Sequence, residues 1–354
     1  MQVPRFTASP DFYNDLRRRV NAYFEETKQP QTGNWQLFSK ALVIISLHII
    51  FYSLLVFFKL NGWAGLFFCV LLGLTTTAIG FNIMHDGNHG SFSKYKFLNN
   101  LAGFTLNVLG GNDYLWKFKH NVLHHSFTNI DDVDDDIQIE PFLRMCDTQK
   151  HRWYHRFQAF YFVLLYSLLY ILWMFFFDYK KYFTKEVNGF EIPKMKVWDH
   201  ISFWGGKLAS YFFFLILPII MVGAVDTIIG FLVFVLVTGV VISVIFQLAH
   251  TVEHTEFPTP NENGKIENEW AIHQIQTTAN FATHNRVWTW FCGGLNFQIE
   301  HHLFPKVSHI HYPKISKIVK QTCQEYGIYY NEFPRFRTAF MSHWKLLHDL
   351  GKKS

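Results

Sequence analysis

Four apolar runs, residues 37–58, 63–83, 201–225 and 227–249, leave this chain few folds to choose from. Each approaches or exceeds the roughly 20 residues a helix needs to cross a bilayer, where every backbone polar group has to be satisfied within its own segment. Only tight turns, at residues 59–62 and near Asp226, separate the members of each pair, so the runs form two helical hairpins. Composition agrees. At 49% hydrophobic and 19% aromatic the chain is too apolar for an ordinary soluble enzyme, while a mean hydropathy of +0.06 shows that its polar residues are gathered into separate blocks. The expected fold is an all-α integral membrane protein with four transmembrane helices and a helical cap outside the bilayer.

Residues 1–36 are polar and contain Arg17, Arg18 and Arg19 but no apolar run of signal-peptide type. They read as a cytosolic amphipathic segment whose short helix, residues 11–28, lies on the membrane face. The arginine cluster places the outer ends of the first hairpin in the cytosol, beneath a bacterial inner membrane or the endoplasmic reticulum. Residues 97–116, interrupted by asparagine and glycine, read as interfacial. Residues 157–177 are long enough to span, yet Arg152 and Arg156 precede them and Lys180, Lys181 and Lys185 follow. Positive charge at both ends predicts an in-plane or re-entrant helix. Residues 306–354 form a cytosolic helical tail. The net charge of +5 has no basic stripe suited to nucleic acid, so membrane lipids are the expected surface partner. Cys69, Cys146, Cys292 and Cys323 are scattered, which indicates neither a disulfide framework nor a zinc ribbon.

The 19 histidines cluster. The second run leads into His85 and His89, spaced i, i+4 and hence on one helical face. His120 and His124 repeat that spacing with His125 adjacent, His250 and His254 close the last run, and His301 and His302 follow Gln298 and Glu300. All these groups emerge on one side of the two hairpins. Imidazole suits zinc, copper, iron and nickel, so ligand type does not name the metal, but the number of nitrogens suits two ions with positions left open. Two redox metals beside a membrane point to dioxygen activation on a lipid-soluble substrate.

These residues match three ordered motifs: HDxxH at 85–89, HxxxHH at 120–125 and QIEHH at 298–302. In them, and from about residue 38 to 305, the sequence resembles the histidine-box membrane fatty-acid desaturases, which makes residues 37–305 the desaturase domain. Gln298, where many relatives have histidine, is the variant associated with front-end enzymes, which place a double bond between an existing one and the carboxyl end. The resemblance implies a diiron centre held by His85, His89, His120, His124, His125, His301, His302 and one histidine from the last run. His250 is the first choice for that position, because Gln-x-x-His at 247–250 is similar to the corresponding front-end segment; His254 and Gln298 are possible ligands or outer partners. It also implies dioxygen as co-substrate, a fatty acyl-CoA or acyl-lipid substrate, and a cis double bond as product. No HPGG haem motif occurs in the sequence, so electrons are expected from a separate cytochrome b5 or ferredoxin-type donor.

Asp86, Asn121 and Glu300 are candidates to hold the outer nitrogens of ligating histidines. Lys117, Lys119, Asp134 and Asp136 are weaker candidates for contact with a head group or the donor. A histidine-box hydroxylase or ketolase would use similar metal chemistry. A membrane metal transporter would need its histidines near the bilayer midplane rather than at span ends.

Overall fold

The computed structural model describes residues 3–7 and 11–352. Four helices among these are long and apolar enough to cross a membrane: α2 (Trp35–Val56), α3 (Gly62–His89), α8 (Val197–Val222) and α9 (Ala224–His250). They fall on the expected runs. The Asn34 side chain caps α2 by accepting from Gln36 N. At the centre, α3 packs on α9, where Gly73 lets the backbones approach: a Cβ there would lie 3.0 Å from Phe234 O. Small residues serve this purpose in lipid, where no hydrophobic force drives helices together.

Helix α1 (Asp11–Thr27) precedes the first hairpin, and α4 (Lys96–Val108) follows it. The apolar stripe of α1, formed by Phe12, Leu16, Val20 and Phe24, is buried against Ala271, Ile299, Ile315 and Val319. A stripe expected to meet lipid is thus covered by protein, because an amphipathic pattern specifies an apolar neighbour without naming it.

Helix α5 (113–127) carries the second histidine group. Helices α6 (Trp153–Ser167) and α7 (Leu169–Thr184) form one pair bent by 51°. The bend packs on α9 at Gly239, where a Cβ would meet Ser167 O at 2.3 Å. Both outer ends of the pair return to the histidine side. His155 lies against Gly351 near the chain's end, and Lys181 pairs with Asp135 at 2.7 Å. The path agrees with an in-plane or re-entrant segment, since α3 and α9 end beside one another.

Beyond α9 the cap comprises α10 (Trp270–Gln276), α11 (Arg286–Phe291), α12 (Gln298–Leu303), α13 (Tyr312–Glu325) and α14 (Phe336–Lys352). A two-residue parallel pairing, Asn280–Phe281 with Glu332–Phe333, ties the segment before α11 to that before α14. All four cysteines are free and buried.

Candidate metal centre

Two local departures from α-helical geometry prepare the site. Residues Gly80–Met84 and Phe118–His124 form π turns, immediately before the first histidine group and within the second. Such one-residue widenings recur at functional sites because they re-aim side chains. In the second turn His125 N bonds to His120 O, and the two Nε2 atoms stand 3.2 Å apart. His125 therefore takes the place over His120 that an α-helix would give to His124.

The histidines divide into two groups. His85, His89, His120 and His301 bring ligand atoms within 4.8 Å of one another, and so do His124, His250 and His302. His125 sits between them, forming a further such group with His301 and His302. His120 and His124, read from sequence as one pair, mainly serve different groups. Apart from half-buried His89, all eight are buried.

The outer nitrogens are held from behind. His124 Nδ1 lies 3.0 Å from both oxygens of Asp134. His302 Nδ1 is 2.7 Å from Gln274 Oε1, His301 Nδ1 is 3.1 Å from Tyr312 OH, and His250 Nδ1 is 3.3 Å from Thr277 O. Held this way, each ring turns Nε2 inward. The Nε2 atoms of His85, His89, His124 and His301 are buried without a hydrogen-bond partner among the described residues. Buried polar atoms are rarely left so, and neutral imidazole nitrogens facing a common point suit a transition metal.

Electrostatics agree. Burial, then neighbouring imidazoles, push His120, His125, His301 and His302 well below the usual histidine range, which keeps them neutral. His124 is the exception: burial opposes it, yet Asp134 and Asp136 raise it. Asp136 is itself held low, against burial, by Lys119 at 2.6 Å.

Gln298 Nε2 lies 3.0 Å from His250 Nε2 and 3.5 Å from His302 Nε2. The amide thus occupies the fourth corner of the second group, and turning it over would present its oxygen there.

Several sequence expectations need correction. His254 is exposed, at φ 68°, with its ring against Tyr329, because α9 ends at His250 and the i, i+4 face does not continue. Glu300 touches no histidine. It accepts from Asn280 Nδ2 at 2.7 Å and Tyr330 OH at 2.8 Å, since consecutive residues on α12 point apart. Asn121 donates from Nδ2 to the Asn88 carbonyl at 3.0 Å, so its side chain ties the second box to the backbone of the first.

Asp86 lies 3.9 Å from His85 Nδ1, beyond hydrogen-bond reach, and instead pairs with His309 Nδ1 at 3.0 Å and accepts from Ser308 Oγ at 3.0 Å. Lys117 pairs with Asp113 at 2.8 Å. Buried Asp134 offers nothing to a docking partner and belongs instead to His124. Gln274, Tyr312 and Thr277 were not legible, because folding brings them to the histidines from elsewhere in the chain.

The fold and site define a membrane protein with four helices suited to span a bilayer and a buried, histidine-lined candidate metal centre at one end of them. The profile of the fatty acid desaturase family matches residues 61–334. The chain is 37% identical over 352 residues to the sn-1 linoleoyl-lipid 6-desaturase of Synechocystis sp., covering 99% of this chain and 98% of the relative. It is 36% identical over 345 residues to the acyl-lipid (8-3)-desaturase of Physcomitrium patens, covering 96% and 72%. It is also 31% identical over 357 residues to the acyl-lipid (8-3)-desaturase of Mortierella alpina, covering 99% and 80%. The chain belongs to the fatty acid desaturase family and is an oxidoreductase, a fatty acyl desaturase of front-end type.

Proposed function

We propose that the centre holds two iron ions, one among His85, His89, His120 and His301 and one among His124, His250 and His302, with His125 between them. Iron bound there supplies the redox chemistry: dioxygen, two electrons and two protons become two waters as adjacent methylenes lose two hydrogens and form a cis double bond. The observation that carries this reading is the set of buried, partnerless Nε2 atoms converging from three chain segments.

The chain's own residues orient and exclude. Asp134 fixes the His124 tautomer by accepting from Nδ1–H, which leaves Nε2 free. Gln274 does the same for His302. Gln298 gives the second group an amide in place of a fourth imidazole, and an amide is the weaker donor, which leaves that position easier to open. Trp116, stacked on the His120 ring with centroids 4.3 Å apart, walls the first group against water.

The relatives' names support a lipid-linked acyl chain as substrate, with the new bond on the carboxyl side of an existing one. A separate cytochrome b5 or ferredoxin-type carrier is the proposed source of the electrons. The arginine cluster at 17–19 supports a cytosolic site. Expression in a host of known fatty-acid content, with double bonds mapped by mass spectrometry and metals counted on the purified chain, tests the proposal. A new front-end double bond and about two irons per chain are expected; a single zinc would overturn it.

A further inference from the structure

Away from the histidines, the parallel pairing of Asn280–Phe281 with Glu332–Phe333 opens into a cleft of about 380 Å³ between the segments that follow. His284 and Arg286 line one wall, Arg335 and Phe336 the other. All but Phe336 are exposed. Neither arginine makes an ion pair among the described residues. Glu332, the carboxylate on the adjoining strand, is already taken by Lys320 at 2.6 Å and by Thr283. The cleft therefore presents two guanidiniums with no anion of the protein's own.

Its height relative to the membrane follows from α11. Asn82 Nδ2, one turn before His85 on α3, donates to Phe291 O at 2.9 Å. Gly293, at φ 60°, packs so tightly on α3 that a Cβ would meet Phe81 O at 2.4 Å. Lys40, near the start of α2, lies over the Trp290 ring at 5.3 Å. The cleft thus sits where the first hairpin leaves the bilayer. There α11 turns Val287 and Trp290 outward, 76% and 44% exposed, while Trp288 stacks on Phe336 at 4.5 Å. An exposed tryptophan beside unpaired arginines at a span end is the pattern of an interfacial anchor. Guanidinium is the side chain best matched to phosphate, through paired N–H donors.

We propose that this cleft binds the phosphate head group of a membrane phospholipid in the leaflet on the histidine side. The outward Val287 and Trp290 argue for a lipid rather than a soluble phosphate ester, since they place apolar surface beside the charges. The site is separate from the histidine centre and stands whether or not the acyl chain being oxidised is lipid-linked.

Binding of dihexanoyl phosphatidylglycerol, dihexanoylglycerol, coenzyme A and inorganic phosphate to the purified full chain in detergent, followed by native mass spectrometry and calorimetry, tests this. The phospholipid is expected to bind at least about tenfold more tightly than the neutral lipid. The Arg286→Gln/Arg335→Gln double variant should lose about that factor, while Lys59→Gln at the opposite end of the hairpin keeps it. Equal binding of charged and neutral lipid by the unaltered chain overturns the proposal without recourse to any variant. So does undiminished binding by the double variant. Coenzyme A or inorganic phosphate matching the phospholipid would show that the cleft selects phosphate without lipid, and would also overturn it.

Discussion

His124 Nδ1 sits 3.0 Å from both carboxylate oxygens of Asp134, and both residues are fully enclosed. The carboxylate also accepts from Asn129 N at 2.9 Å and Asp136 N at 3.1 Å, so it is fixed before it fixes the histidine. Asp134→Asn keeps the shape and removes the charge. Loss of an outer partner of this kind typically costs 10–100-fold in metal affinity, and about that loss is expected here. Metal content after graded chelator challenge checks it; full retention would remove Asp134 from the site.

Glu300 gives the contrasting case. Burial pushes its carboxyl up to about 7, while hydrogen bonds from Asn280 and Tyr330 pull the other way. Glu300→Ala removes the acceptor of the Tyr330 O–H and one of the two acceptors of Asn280 Nδ2, at a cost of about 1–3 kcal/mol, yet metal content should stay at the level of the unaltered chain. A thermal melt beside a metal count separates these effects. Metal loss would return Glu300 to the histidines' support.

His301→Ala and His124→Ala each remove one inward Nε2, from different groups. Both should abolish desaturation while membrane insertion and expression persist. The assay is fatty-acid analysis of the host together with protease mapping of the inserted chain. Residual turnover in either variant argues against that residue's place at the metal.

His343 on α14 joins the tail to the end of α9. Its Nδ1 lies 3.0 Å from Thr251 Oγ1 and its Nε2 3.0 Å from Tyr166 OH. Burial pushes it down to about 4, against its hydrogen bond to the Thr251 carbonyl, which raises it. A depressed histidine contributes stability above its unfolded value, 6.5, and loses it as pH falls through the folded one. The window is therefore pH 6.5 to 4, and the shift is worth on the order of 3 kcal/mol. Proteolysis of the tail at pH 7.5 and pH 5 should show release at the lower pH. His343→Gln should flatten that dependence, and an unchanged pH profile in the variant would refute the assignment.

The spans were legible because lipid imposes a length and a composition on any helix that crosses it. His85 and His89 were legible because the helix carrying them continues through the motif. His254 misled because nothing in its own residue type signals that α9 stops at His250. Glu300 misled for a related reason: a short helix aims neighbours apart, so adjacency in sequence opposed adjacency in space. Gln274 and Tyr312 lie 28 and 11 residues from the histidines they hold, on separate helices. Only the packed cap brings them there. The stripe on α1 was visible, but what covers it depends on the same packing.

The π turn at Phe118–His124 has a consequence for how the protein is filled. His120 faces one group, His124 the other, and His125 lies between, all carried on one stretch of backbone a single residue longer than an α turn would allow. On the proposed two-iron reading, an ion held by His120 would fix the pitch of that stretch and with it the aim of His124. The two positions would then share one hinge, and loading in pairs, with few singly filled molecules, would follow.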